Sequence, residues 1–395
     1  MILAQAPNLP TNTTTIPSTV SITVYNAIAS VPQSMWQAIV AEQNIYLSIA
    51  YLTALEHTMP SNITPLYSIE YTNEVPTAVY YSQLYTLTKL QIKELFVQGK
   101  YTSYQKIKHN LQQLIVHSIC CKPLQILVMG NLLQSGESSI SKASNNITHV
   151  INTITKQHTV DAIVIKDTTL TLAQIQSTKH IHIPITAEPC MNMEIPTSIT
   201  NLTDYKALLD KKYRTKYKAA QKLIAHITHK LITRETINAN ESTLYNLWLQ
   251  VYNQSNFKAI KIEQNFFSNM LKAMPQQYYI QAYYNQSEII SFASYYISGT
   301  TCEVQFVGMN YELLRPLKLY QNMLYNFIDL ALQHKCTLLK LGRTATEIKS
   351  TVGAKPFYYN NYISIKSSLV NKIALPYINK FAKKEYTIRN PYKDV

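Results

Sequence analysis

The chain has 395 residues, 46% of them hydrophobic and 15% charged, with a formal net charge of +14. This length favours two domains, and the positive charge favours anionic partners such as nucleotides, nucleic acid or a membrane surface. Five cysteines without a CxxC pair fit reduced thiols better than a disulfide framework, and no run approaches the ~20 apolar residues that span a bilayer. The N-terminal residues also lack the pattern of a secretory signal. We therefore expect a soluble, cytoplasmic protein.

The first half of the chain predicts a loose lead-in followed by a domain over residues 31–200. Residues 1–30 are rich in Thr, Pro, Ser and Asn, and a helical section containing Trp36 follows. After Pro60 an alternation with period two predicts a hairpin that turns at residues 72–74. A charged helix over about 89–118, a buried strand ending at Gly130, a helix and a strand over 161–167 complete the pattern.

The second half, residues 201–395, repeats this order. Its predicted elements are helices over about 204–229 and 242–274, a hairpin turning at 285–287, a strand ending at Gly308, a helix from Pro316 to about His334, a strand ending at Gly342 and an alternating strand over 357–365. A hairpin followed by strand, helix and strand predicts a mixed sheet with helices on its faces. The sequence thus predicts an α+β (α/β) architecture used twice.

The helix expected at Pro316 is the first candidate binding site. Proline suits the first helical position, and the free N–H groups there, with Arg315 and Lys318 alongside, suit an anion such as a pyrophosphate. An ordinary amphipathic helix with solvated cations explains the same residues.

The stretch LGRTATEIKSTVGAKP contains two of only seven glycines, Gly342 and Gly353, beside charged residues. It follows a buried strand, and ligands of such sheets bind outside the carboxyl ends of the strands. If it is helical, Arg343 and Glu347 are four residues apart and could pair. We interpret this stretch as the mouth of a substrate or cofactor site.

Residues 211–222 carry six Lys and Arg side chains, with Tyr213 and Tyr217 at helical spacing. A solvated amphipathic helix is one interpretation, and binding to a phosphate-bearing substrate or an RNA backbone is the other. The histidine pairs HITH and HIH lack companion ligands, so no metal site is predicted.

These motifs together resemble the GNAT acyltransferase superfamily, in its branch related to the FemAB peptidyltransferases, whose members carry two tandem GNAT-like domains. The resemblance covers about residues 30–366. The matching features are Gly342, Arg343, Lys349 and Gly353 behind a helix of the LYQNMLYNFIDLAL type, the basic stretch LDKKYRTKYKAAQK, and the early Trp36 helix with its YLTALE run.

The resemblance implies direct attack of an amine on the carbonyl of an acyl-CoA such as acetyl-CoA, with the C-terminal domain active and the N-terminal domain supportive. The implied catalytic residues are Lys349, Arg343 and Glu347; the implied cofactor-binding residues are Val307, Gly308, Met309, Arg315, Leu317 and Lys318; the implied substrate-binding residues are Arg214, Gly342 and Thr344. A backbone N–H of residues 307–309 would meet the oxyanion.

One departure from the family pattern opens two alternatives. The position of the glycine-rich phosphate loop reads ELLRPLKLYQ, without glycine. The first alternative is a Fem-like transferase that takes an aminoacyl group from transfer RNA to a cell-wall precursor. The second is a non-catalytic protein that binds RNA or an anionic surface. The acceptor, the acyl group and the oligomeric state are not determined by the sequence.

Overall fold

The computed structural model describes residues 19–40, 44–88, 122–136, 139–141, 146–176, 180–255, 260–366 and 386–393. Its strands are β1 (Val20–Tyr25), β2 (Ile63–Thr72), β3 (Val75–Leu87), β4 (Leu124–Met129), β5 (Ala162–Thr168), β6 (Ile183–Pro184), β7 (Cys190–Glu194), β8 (Ile227–Ile232), β9 (Tyr278–Asn285), β10 (Glu288–Ser298), β11 (Thr301–Met309), β12 (Leu338–Lys340), β13 (Lys355–Phe357) and β14 (Asn360–Ile365). The helix predicted over about 89–118 lies outside the described residues.

The α-helices of the described ranges are α1 (Gln33–Ile39), α2 (Ile49–Glu56), α3 (Ile147–Gln157), α4 (Leu172–Ile175), α5 (Leu202–Leu208), α6 (Lys211–Leu223), α7 (Ile237–Gln254), α8 (Phe266–Ala273), α9 (Tyr311–Leu314), α10 (Leu319–Gln333) and α11 (Thr346–Ser350). None of them is long and apolar enough to cross a bilayer.

The strands form two seven-stranded mixed sheets with the same internal order, which confirms the predicted repetition. The first sheet runs β1-β2-β3-β4-β5-β14-β6 and the second β8-β9-β10-β11-β12-β7-β13. In each sheet the hairpins pair antiparallel, and one pair, β4 with β5 or β11 with β12, is parallel. This is the predicted α+β fold, two tandem domains with helices on their sheets.

Each sheet receives one strand from the other half of the chain. Strand β7 lies between β12 and β13, and β14 lies between β5 and β6. The single alternating strand predicted over 357–365 is therefore wrong. The chain leaves the second sheet after Phe357, the end of β13, and enters the first sheet at Asn360, the start of β14. A division near residue 200 stays a prediction.

Three helix predictions also need correction. The helix expected over 242–274 is two helices, α7 and α8, and residues 260–265 before α8 are not helical. The helix expected over 204–229 is two helices, and Ile227–Ile232 forms β8, because the outer edge of the β9–β10 hairpin offers a full antiparallel register to this segment. The helix expected from Pro316 begins at Leu319. Residues before it form their own turn, in which the Leu317 N–H donates to the Leu313 carbonyl at 3.1 Å, and Lys318 adopts a left-handed conformation.

The largest apolar core joins the two halves of the chain. It contains Trp36 and Tyr51 from the first half and Trp248 and Phe292 from the second, all buried. The predicted inward face of the basic helix is confirmed, since Tyr213 and Tyr217 are buried while most of its cations are exposed. The shared core packs the first domain against α7 and the β9–β10 hairpin of the second.

Candidate active site

A cavity of about 240 Å³ opens where β11 and β12 diverge. The two strands pair only from Thr301–Glu303 to Leu338–Lys340, although β11 continues to Met309. The cavity is lined by Leu133, Gln134, Ser135, Trp248, Val251, Glu303, Val304, Gln305, Phe306, Val307, Tyr320, Phe327, Leu341, Gly342, Arg343, Thr344 and Lys349. It therefore combines an apolar wall from α7 and α10 with polar groups from both domains.

The divergence leaves backbone groups of β11 without a neighbouring strand. The Asn310 N–H donates to the Ile290 carbonyl on the β10 side at 2.8 Å. Because the direction of the peptide groups alternates along a strand, the N–H groups of Val307 and Met309 point away from β10. Val307 also lines the cavity, so its N–H is the donor best placed to meet an oxyanion there.

Gly308 has a packing function. A Cβ atom at this position would lie 2.7 Å from the backbone nitrogen of Trp248 and 2.2 Å from the Phe292 ring. The glycine therefore allows the backbone of α7 to lie directly on β11. Met309 is buried, and neither residue lines the cavity.

The loop after β12 turns sharply around Lys349. Gly342, Thr344 and Ala345 all have positive φ, at 67°, 64° and 50°, and α11 follows directly. This turn brings the Lys349 Nζ to the carbonyl oxygens of Gly342 at 3.2 Å and Arg343 at 2.7 Å. Lys349 is only 3% exposed, and burial lowers the pKa of its amine to about 7.

Arg343 connects this loop to the first domain. Its guanidinium donates to both carboxylate oxygens of Asp167, at 2.7 Å for one of them, and its Nε donates to the Glu188 carbonyl at 2.8 Å. Burial by itself raises the pKa of Asp167, but Arg343 and Lys166 outweigh it and hold that pKa well below its ordinary value. Such a bidentate, buried pair also fixes orientation.

The predicted pair between Arg343 and Glu347 does not form. Glu347 is on the outer side of α11, where its side chain is 56% exposed and pairs with Arg389 at 2.6 Å. The structure thus separates the two charges: Arg343 faces the cavity and the first domain, and Glu347 faces the C-terminal segment.

Sequence reasoning missed Glu303 and Gln134. Glu303 is 5% exposed on the cavity wall, 3.4 Å from the Lys340 Nζ, and accepts a hydrogen bond from Gln134 Nε2. Gln134 comes from the first domain, and its carbonyl accepts from the Lys166 Nζ at 2.6 Å. The available signal was an acid within the apolar run CEVQFVGM; nothing local marked Gln134.

The predicted anion site is outside the cavity. Arg315 and Lys318 are exposed beside the start of α10, and Leu317 is half-buried there. The C-terminal end of α6 reaches the same place, because the Asn322 amide donates to the carbonyls of Ala220 at 3.1 Å and Leu317 at 2.9 Å. The C-terminal end of the basic helix therefore lies against the start of α10.

The cavity brings together five of the residues singled out in the sequence, namely Val307, Gly342, Arg343, Thr344 and Lys349. It does not include Arg214, Gly308, Met309, Arg315, Leu317, Lys318 and Glu347. Within the described ranges, no three His, Cys, Asp or Glu side chains lie close enough to hold a metal ion.

No family model and no curated protein sequence matches the chain. Among solved structures the fold is similar to FemX, at 10% identity and a TM-score of 0.51, covering 87% of this chain and 98% of that one. A tandem GNAT protein from the clavulanic acid biosynthesis pathway matches at 7% identity and a TM-score of 0.48, covering 88% and 99%. The C-terminal domain of a putative lysylphosphatidylglycerol synthetase from Agrobacterium fabrum matches at 8% and 0.46, covering 88% and 95%. The fold, two seven-stranded mixed sheets flanked by helices, is thus similar to that of FemX.

Proposed function

We propose that this protein transfers an acyl group from an acyl-CoA donor to an amine acceptor within the cavity between β11 and β12. The observation that carries the proposal is the buried Lys349 beside diverging strands. It places a titratable amine and an unpaired strand edge in one small cavity. The GNAT-like fold supports this assignment.

The reaction requires a proton acceptor and a donor to the oxyanion. When the acceptor amine attacks the donor carbonyl, the C–S bond of the thioester breaks and the attacking nitrogen must lose a proton. Neutral Lys349 takes that proton and later returns it to the leaving thiolate. The Val307 N–H stabilises the oxyanion between the two steps.

The remaining charged residues orient these groups. The part of Arg343 that lines the cavity neutralises charge on the acceptor, while its ion pair with Asp167 keeps the loop in place. The Glu303 carboxylate lines the cavity and accepts a hydrogen bond from the neutral acceptor amine, which orients its lone pair toward the donor carbonyl. Glu347 orients α11 from outside through Arg389.

The donor's phosphates bind at the start of α10, next to Arg315 and Lys318. One observation favours an aminoacyl ester of transfer RNA as a second candidate donor, with a cell-wall precursor as acceptor. The turn before α10 is hydrogen-bonded to itself, since the N–H groups of Leu317 and Lys318 donate to Leu313 and Arg315. The adjacent cations of α6 offer an extended surface to an RNA backbone instead.

The test measures thiol release from acetyl-CoA and longer acyl-CoAs in the presence of a panel of amines. Lys349→Met is expected to lower kcat by about 10²-fold or more, which is the usual contribution of a general base. Lys355→Met, at an exposed lysine outside the cavity, is the matched control. Equal rates for Lys349→Met and the control contradict the assignment.

Substituting the donor separates the candidates. Product formed only from charged transfer RNA establishes the second candidate. Salt-sensitive RNA binding without product from either donor establishes a binding protein on a GNAT scaffold.

A further inference from the structure

We infer that Lys349 is itself a covalent acylation site, at which the protein accepts the acyl group from an activated donor when no acceptor amine occupies the cavity. The physiological donor rests on the proposed function. The reactivity of Lys349 toward small acyl reagents does not, and the experiment below tests the two separately.

The geometry of the amine carries this inference. A neutral lysine nitrogen has four tetrahedral positions, occupied by Cε, two hydrogens and the lone pair. Lys349 Nζ has two carbonyl acceptors, Gly342 at 3.2 Å and Arg343 at 2.7 Å. Both hydrogens are thus directed to the loop, and the lone pair lies on the remaining side of a residue that lines the cavity.

The groups around Lys349 do not hold its amine in the protonated form. In the described part of the chain no carboxylate forms an ion pair with Lys349. The groups that favour its charged form, Cys190 and Glu188, have less effect than burial, so that its pKa falls to about 7. The neighbouring Arg343 is cationic and directs its charge to Asp167.

The protonation state gives Lys349 an advantage over surface lysines. At pH 7 about half of Lys349 is neutral, against on the order of one in a thousand for an ordinary lysine. The lower basicity of Lys349 also makes its neutral amine a weaker nucleophile, which offsets part of the advantage in neutral fraction. Lys349 is therefore expected to keep part of this advantage over exposed lysines.

The step balances without any further reactant. The Nζ lone pair attacks the thioester carbonyl, the C–S bond breaks, and its electron pair leaves with sulfur. One Nζ proton passes to the thiolate, so the products are an amide and a free thiol. The amide nitrogen cannot accept a proton, and the amide bond is not readily broken. Acylation of Lys349 therefore stops transfer until the acyl group is removed by a route that does not use the acceptor amine.

The activity of the protein then depends on the ratio of acyl donor to acceptor amine. An acceptor amine in the cavity intercepts the acyl group, and an empty acceptor site directs it to Lys349. Incubation with donor alone is therefore expected to inactivate the protein in proportion to the modified fraction.

The experiment treats the full-length folded protein at pH 7 with two probes, acetyl-CoA and the N-hydroxysuccinimide ester of acetic acid. Peptide mass spectrometry follows the gain of an acetyl group at each lysine over time. Lys349 is expected to react faster than Lys355, and this advantage shrinks near pH 10, where exposed lysines also become neutral. Lys349→Arg, whose guanidinium is not nucleophilic, serves as the matched control and keeps the other sites unchanged.

Each outcome has a defined meaning. Slower labelling of Lys349 than of Lys355 by both probes overturns the inference. Selective labelling by the succinimidyl ester but not by acetyl-CoA upholds the reactive lysine and counts against acyl-CoA as donor. Selective labelling by both probes upholds the inference with an acyl-CoA donor, whether or not transfer to an added amine is found.

Discussion

At the scale of single residues, the candidate site depends on how each buried charge is compensated. Asp167 forms ion pairs with Arg343 and Lys166, which stabilise its carboxylate. The hydrogen bonds of Lys349 go only to carbonyl oxygens, and burial destabilises its charged form. Both pKa values are thus lowered, which favours the charged form of Asp167 and the neutral form of Lys349, and such shifted values are typical of sites where protons are exchanged.

The lowered pKa of Lys349 predicts a pH-dependent stability. Below about pH 7 the folded and unfolded chains both carry the protonated lysine, so the full cost of burying the charge is present. Between about 7 and 10 the unfolded chain binds a proton that the folded chain has lost, so stability rises with pH. Relative to Lys349→Met, the wild-type protein should gain roughly 4 kcal/mol between pH 6 and pH 10. Urea unfolding at both pH values checks this, and a difference that does not change with pH, as expected for Lys355→Met, contradicts it.

The Asp167–Arg343 pair predicts a large cost of substitution. In Asp167→Asn the half-buried cations Lys166 and Arg343 lose their buried carboxylate, which should destabilise the fold by about 3–5 kcal/mol. Glu347→Gln breaks the exposed pair with Arg389 and should cost less than about 1 kcal/mol. Denaturant unfolding of both variants provides the comparison, and similar small losses would show that the buried pair does not hold the loop.

At the scale of elements, the C-terminal segment supports α11 from outside. Arg389 pairs with Glu347 and its N–H donates to Ser350 Oγ at 2.9 Å. Two residues later, the Pro391 carbonyl accepts from the Asp210 N–H at 2.9 Å. Tyr392 packs on Gly353, where φ is 104°. The segment therefore holds the helix that carries Lys349 against the sheet.

Gly353→Ala should be destabilising for two separable reasons. The positive φ costs roughly 1–2 kcal/mol for a non-glycine residue, and the new Cβ would lie 1.9 Å from Tyr392 Oη. In a Tyr392→Ala background only the first cost remains. A double-mutant cycle by urea unfolding should therefore show a coupling of about 1 kcal/mol or more. Simple additivity would mean that Tyr392 moves away without loss.

At the scale of the whole molecule, the sheet of each domain is completed by a strand from the other half of the chain. Strand β7 pairs with β12 and β13, and β14 pairs with β5 and β6, so each sheet contains an interior strand from the other half. The cavity is also built by both domains, because Gln134 of the first domain donates a hydrogen bond to Glu303 of the second. The first domain thus supplies part of the cavity lining, and its supportive role stays a prediction.

This exchange predicts that neither half folds alone. A chain of residues 197–395 lacks β7, and the strands on either side of it lose their ladder hydrogen bonds. We expect each half to be insoluble or to lack cooperative unfolding, and the co-expressed halves, 1–196 and 197–395, to copurify. Cooperative thermal unfolding of residues 197–395 by themselves would contradict this.

The sequence by itself determined the repeated order of elements, since hairpins and buried strands are encoded by local alternation and by turn residues. It also indicated the loop that holds Gly342, Arg343 and Lys349, because glycine beside charge after an apolar strand is a local signal. Only the tertiary structure decided the partner of Arg343, which lies 176 residues away in the sequence, and the exchange of β7 and β14. It also decided the functional position of Glu303 and Gln134. Long-range pairing and burial set these features, and no local periodicity records which distant group will neutralise a charge or complete a sheet.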